Sequence, residues 1–142
     1  MSMNLNDIKA ASKTQPREVE YIFAGKKTGW FLTLLHDSSE EVQAFMSRYN
    51  AKVRDLSLKR KTNAIAGLAA QHADKLHMVQ VAGWRWKDGD DDDAGRPSFS
   101  RSELKAALAH EDLGWHLGQF IDEEVGSLDD FLTRSENNSG TV

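Results

Sequence analysis

The spacing of apolar positions changes along this chain, and each spacing predicts an element. Val19, Tyr21 and Phe23 alternate with Glu18, Glu20 and Ile22. The polar stretch Gly25-Lys26-Lys27-Thr28-Gly29 comes next, and then Trp30-Phe31-Leu32-Thr33-Leu34-Leu35. Two β-prone runs around a glycine-bounded turn predict a hairpin over residues 16–36. An isolated hairpin is marginal in water, so this one has to pack on helices or pair with a further edge.

Helical spacing begins after it. Ser38-Ser39-Glu40-Glu41 is a capping-box pattern, in which the Ser38 hydroxyl accepts from the Glu41 N–H and the Glu41 carboxylate reaches back. Val42, Phe45, Tyr49, Val53 and Leu56 then fall on one helix face. Ile65, Leu68, His72, Leu76 and Val79 continue a similar stripe. No proline stands between Pro16 and Pro97, so residues 39–82 form a long helical region. Unbroken, it would reach about 65 Å, too long for a small domain, and a break is expected near Lys59 to Asn63. Gly83 reads as the helix stop, with residues 83–99 as a junction and an acidic loop. Ser100-Arg101-Ser102-Glu103 is a second capping box, opening a helix through Leu104, Ala107 and Leu108. Leu113, Leu117, Phe120 and Ile121 mark the next helix, and Ser127 caps a short last one with Phe131 and Leu132. Residues 1–15 and 135–142 read as flexible tails. The expected fold is mainly α in an α+β arrangement. It is one domain over residues 16–134, with an N-terminal hairpin followed by a bundle of about four to five helices.

Composition narrows the functional classes. The chain has 142 residues, 39% of them hydrophobic, and a formal net charge of −4. One domain of this size buries most of its apolar surface. The acidic balance is a poor match to a nucleic-acid binder. With no cysteine, disulfides and thiolate chemistry are excluded. No apolar run approaches the ~18 residues of a membrane span, and the polar first residues hold no apolar signal core. A cytoplasmic setting is expected.

The candidate chemistry is sparse. Asp88-Gly89-Asp90-Asp91-Asp92-Asp93-Ala94-Gly95 invites a calcium reading. Counted from Asp88, the sixth position is Asp93 and the twelfth Phe99; counted from Asp90, the fifth is Ala94 and the twelfth Arg101. An EF-hand needs Gly at six and a bidentate Glu at twelve, so the run reads as a solvated loop kept open by its charges. A metal-responsive binding module built on residues 88–93 is the alternative reading. Lys52, Arg54, Lys59, Arg60 and Lys61 form a basic stretch without interleaved aromatics, and it reads as a solvent-facing or partner-docking helix side. His110-Glu111-Asp112-Leu113-Gly114 ends in Gly where a zinc HExxH motif needs its second histidine. No nucleophile elbow, phosphate-binding loop or dinucleotide fingerprint occurs, and no enzyme activity, cofactor or metal is expected. Trp84 and Trp86 read as plugs at the junction, with a partner-binding role for whichever ring is exposed.

The order of these elements resembles that of the tail assembly chaperones of long-tailed phages. The resemblance rests on the aromatic extended section Glu18 to Leu35, the helical middle running into Met78 to Trp86, and the polar loop to Pro97-Ser98-Phe99-Ser100. The Glu103 to Leu108 helix and the terminal Phe131 complete it. The Asp90-to-Asp93 run and the second tryptophan, Trp86, depart from that pattern. The resemblance implies a non-enzymatic protein of phage or prophage origin. It would hold the tape-measure protein soluble, help recruit tail-tube subunits in the host cytoplasm, and leave before the virion is complete. Self-association is open, and neither nucleic acid nor membrane is an implied partner. The expected partner-binding residues are Trp30, Phe31, Val42, Phe45, Tyr49, Val53, Leu56, Trp84 and Trp86.

Overall fold

A computed structural model describes residues 2, 4–7, 14–92, 95–126 and 131–132. Strands β1 (Arg17–Phe23) and β2 (Lys26–Leu34) form the expected hairpin. Its turn is shorter than the glycine spacing predicts. Ala24 and Gly25 alone make the reversal, at φ 52° and 76°, and Phe23 already pairs with Lys26. Positive φ at both central residues is the type I′ geometry that matches strand twist. Ala24 bears a Cβ penalty that Asn tolerates better. Ala24→Asn is therefore expected to add about 0.5–1 kcal/mol of stability, read as a higher urea midpoint at unchanged slope.

Helix α1 (Glu40–Leu58) starts on Ser39, whose hydroxyl accepts from Val42 N at 3.4 Å. The expected cap, Ser38, instead shares a hydrogen bond with His36 Nδ1 at 2.8 Å. The chain reverses at Lys59 to Lys61, with Arg60 at φ 57°, and returns as α2 (Thr62–Gln80). The expected break thus falls where the sequence placed it.

Beyond α2 the chain departs from expectation. Residues 81–86, read as the end of a helical run and a junction, form strand β3 (Val81–Trp86), antiparallel to β2. Leu34 pairs with Val81, Leu32 with Trp84 and Trp30 with Trp86, with one irregularity between Thr33 and Leu34. The free edge of β2 supplies the ladder, and bulky Trp84 and Trp86, two apart, suit a strand better than a helix end. The sheet order is β1-β2-β3. Arg101 locks the helix-to-strand transition by donating to the carbonyls of Met78 and Val81.

Helix α3 (Arg101–Ala109) begins as expected, with Ser100 Oγ accepting from Glu103 N at 3.1 Å. Helix α4 (Gly114–Val125) carries Leu117, Ile121 and Val125 onto the inner face of the sheet. There they meet Tyr21, Trp30, Leu32, Leu34, Val81 and Leu104. Gly114 permits the tight α3–α4 corner, because a Cβ there would lie 2.1 Å from the Leu108 carbonyl oxygen.

The architecture is α+β with an N-terminal hairpin, but the helices do not make one bundle. Helices α3 and α4 cover the sheet. Helix α1 packs chiefly on α2, while α2 also packs on α3, α4 and β3 through its C-terminal half, so the two form an arm rooted in the body along that half. The core cluster contains no residue of α1. Thr14 and Gln15, placed by sequence in a tail, are held: Gln15 N donates to Phe131 O at 2.7 Å, and Phe131 is buried. Residues 5–7, also placed by sequence in the tail, form a turn of helix in which Asn4 and Asp7 cap each other. The expected Ser127 cap and the polar C-terminal tail lie outside the described residues. Among the described residues no helix is long and apolar enough to cross a membrane.

Candidate functional site

The expected partner-binding residues separate into three environments. Trp30 belongs to the core cluster and Val42 is buried at the base of the arm, 6% and 1% exposed. That corrects their assignment to a partner face: alternation along β2 points Trp30 inward with Leu32 and Leu34. Trp30 stacks parallel on Trp86 at 5.2 Å and meets Tyr21 and Trp84 edge-on at 5.5 and 5.0 Å. The Trp84 and Trp86 indole N–H groups both donate to the Pro97 carbonyl, at 2.8 and 2.9 Å. These two rings, carried by strand β3 and not by a helix end, therefore pin the chain after the acidic loop.

Phe31 lies on the opposite, open face of the sheet. The Arg85 guanidinium covers it at 4.3 Å and donates twice to Glu18, at 2.8 and 2.7 Å. That hydrogen bonding, opposed by desolvation, lowers the Glu18 carboxyl below its usual range. The resulting stability is present above the ordinary carboxylate pKa and fades as pH falls through the lowered one, and solvent screening keeps it small. Beside Phe31 is an open basin of about 480 Å³ that also takes in Lys27, Lys87 and Arg96.

Phe45, Tyr49, Val53 and Leu56 form the third group. They line the seam of the arm with Ile65, Leu68, His72 and Leu76, and all eight are only half-buried. His72 packs against Tyr49 at 3.9 Å and stacks on Phe45 at 5.6 Å. Its buried Nδ1 has no hydrogen-bond partner among the described residues. The basic residues Lys52, Arg54, Lys59, Arg60 and Lys61 are exposed toward the far end of the arm, where Lys59 pairs with Asp55 at 3.1 Å.

Where the arm joins the body, a groove of about 520 Å³ runs between α2 and α3, with Met78, Leu108 and Ala109 as its apolar lining. It shares Asp74 and Leu108 with a hollow beside Trp115, whose ring is 72% exposed. Sequence reasoning left Trp115 unplaced. Its signal is positional: it lies about 160° around α4 from Leu117 and so off the apolar stripe. In the same hollow His77 Nε2 meets Asp122 Oδ1 at 2.8 Å, and a Cβ on Gly118 would touch the His77 ring at 3.1 Å.

Residues 88–92 of the acidic stretch are held by more hydrogen bonds than a run of repelling charges implies. Asp91 and Arg96 exchange backbone hydrogen bonds of 2.8 and 2.9 Å. The Arg96 side chain lies between Asp88 and Asp91. Ser98 donates its N–H to Asp92 and its hydroxyl to Asp90, both at 2.9 Å. The carboxylates thus satisfy the loop's own donors. Among the described residues no three His, Cys, Asp or Glu side chains stand together as a metal site.

Tyr21 carries a titratable signature within the core. Its hydroxyl shares a 2.7 Å hydrogen bond with His116 Nδ1, and burial raises the phenol above its ordinary value. A raised acid favours the neutral folded form, so this contribution is complete below the unfolded value of about 10 and is lost as pH rises through the folded one. Denaturation midpoints are expected to fall steadily above about pH 10. In Tyr21→Phe that part of the alkaline decline is expected to disappear. Equal alkaline slopes in both proteins would contradict it.

No protein-family model, curated protein or solved structure matches this chain.

Proposed function

We propose that this chain is a non-enzymatic assembly chaperone of the long-tailed phage type, which binds the tape-measure protein and helps recruit tail-tube subunits in the bacterial cytoplasm. One observation supports the reading above the others: the arm presents a long apolar seam covered by two helices only. A long helical partner with an apolar stripe would aggregate if left bare. Laid against Phe45, Tyr49, Val53 and Leu56, it would gain a third wall by helix-in-groove contact. The partner face of this proposal excludes Trp30 and Val42, which are buried, and Phe31, which lies on the far side of the sheet. Exposed Trp115 supplies a further anchor at the base of the arm. The net charge of −4 helps keep the coated complex dispersed. The carboxylates of the loop at residues 88–92 are engaged with Arg96 and Ser98, which gives the metal-responsive alternative no support.

The test is co-expression with the tape-measure protein of the same gene cluster, followed by affinity capture and a solubility assay. A soluble complex is expected with the natural chain. Tyr49→Ala, with helicity checked by circular dichroism, is expected to bind about tenfold more weakly, as loss of one aromatic anchor does. Two folded proteins that neither associate nor gain solubility would overturn the proposal.

A further inference from the structure

Charge is divided between the arm and the rest of the chain. Residues 44–73 carry six cations, Arg48, Lys52, Arg54, Lys59, Arg60 and Lys61, against the single anion Asp55, a net +5. With a whole-chain charge of −4, the remaining residues hold −9. The acidic average conceals a basic projection. All six cations are exposed, and among the described residues only Lys59 makes an ion pair, with Asp55.

At the end of the arm these cations surround an apolar side chain. Leu58, the last residue of α1, is 80% exposed, more than any other large hydrophobic residue described. It lies about 180° around α1 from the seam, so packing within the arm does not account for it. Arg54 stands one turn back and about 40° to one side of Leu58, and Lys59 about 100° to the other. Arg60 and Lys61 follow in the reversal.

The two features together identify an occupant. The cations call for an anionic surface, and a leucine among them calls for an apolar phase just beneath the charges. A bilayer with anionic headgroups offers both in one plane. Duplex nucleic acid offers phosphates without the apolar phase, and no aromatic residue stands between Lys52 and Lys61 to stack on a base. Cations on both sides of the leucine suit a plane better than a one-sided pocket wall.

The acidic body does not oppose this approach. Gln71 is the first residue of α2 to line the groove against α3, nine residues from Thr62 and about 14 Å along the helix. Screening at physiological salt has a range of about 8 Å, so the arm holds the body's charge beyond it.

We propose that the end of the arm is a docking tip for an anionic bilayer surface. Leu58 enters the outer edge of the apolar layer, while Arg54, Lys59, Arg60 and Lys61 meet the headgroup anions. Each such cation raises partitioning about fivefold, and burial of the leucine adds about tenfold. This goes beyond the chaperone reading and uses a surface separate from the seam.

The experiment is co-sedimentation of the full chain with phosphatidylcholine vesicles holding about one-third phosphatidylserine, at about 50 mM salt. The chain is expected to pellet with them, to stay in solution with phosphatidylcholine alone, and to be released by about 0.5 M salt. Leu58→Ser is expected to weaken binding about tenfold. Arg54→Gln with Arg60→Asn and Lys61→Gln is expected to weaken it about a hundredfold. All four side chains are exposed, so unchanged helicity is expected in both variants. Lys26→Gln with Lys105→Gln, which removes two exposed cations from the body, is expected to leave binding unchanged. Binding that withstands the triple change, or that Leu58→Ser leaves untouched, would overturn the proposal. So would retention on duplex DNA with none on vesicles, which would assign the tip to nucleic acid. No tape-measure protein is present, so failure here and failure of the capture experiment are distinguishable.

Discussion

Gly114→Ala is expected to lower the thermal midpoint by about 10 °C or more, equivalent to at least about 3 kcal/mol. The new Cβ would sit 2.1 Å from the Leu108 carbonyl oxygen and 2.8 Å from its carbonyl carbon. Both are backbone atoms, so no rotamer relieves the clash, and α4 has to move off α3. Two other glycines grade the effect. At Gly118 the added Cβ meets the His77 ring at 3.1 Å, and a side chain can yield by tenths of an ångström. Gly118→Ala is expected to cost about 1 kcal/mol. At Gly67, inside α2, nothing lies within 4 Å, and alanine gains its helix propensity of about 0.8–1.0 kcal/mol. The predicted order in a thermal scan is Gly67→Ala above the natural chain, then Gly118→Ala, then Gly114→Ala. Any other order would mean that the α3–α4 corner is not held as described.

Trp30→Ala is expected to destabilise by about 3–5 kcal/mol, because it empties the centre of the aromatic cluster. The ring is stacked on Trp86 and edge-on to Tyr21 and Trp84, so its loss removes three aromatic contacts together. Trp30→Phe should behave differently. The buried Trp30 indole N–H has no hydrogen-bond partner among the described residues, so the substitution forfeits no hydrogen bond and costs only the lost ring volume, about 1–2 kcal/mol. In urea denaturation the two variants should differ by at least about 1 kcal/mol, with the phenylalanine nearer the natural chain. Equal losses would show that the indole nitrogen has a partner after all. The same contrast separates a core role from a partner-facing one, since a partner-facing tryptophan could be truncated with little effect on the isolated protein.

The sequence shows most clearly what depends on local spacing. The β1–β2 hairpin, the Ser100 cap and the break at Lys59 to Lys61 follow from alternation, cap chemistry and helical period, and all three stand in the structure. Strand β3 was hidden because Val81 to Trp86 continues the apolar run of α2, and only pairing with β2 decides its conformation. Ser38 and Ser39 offered two caps one residue apart, and the Ser38 bond to His36 leaves the cap to Ser39. The candidate site was less legible. Val42 and Tyr49 share one helical stripe, yet Val42 is buried at the base of the arm while Tyr49 is only half-covered further out. Helical period gives the face of a residue and not what lies opposite it, so it does not distinguish a seam between two helices from a core.

The arm leaves the sheet after Leu34 and returns at Val81, and those two residues pair with each other. The next hydrogen bond out, Leu35 N to Gln80 O at 2.8 Å, closes the gap at the root. Topologically, residues 35–80 are therefore the loop of an ordinary β-hairpin, enlarged into two helices that close on themselves. Since the ends of that loop meet whatever its length, loop-closure entropy changes only slowly with size. Whole turns can be added to or removed from both helices without shifting the β2–β3 register. The reach of the molecule is thus adjustable independently of the domain that carries it.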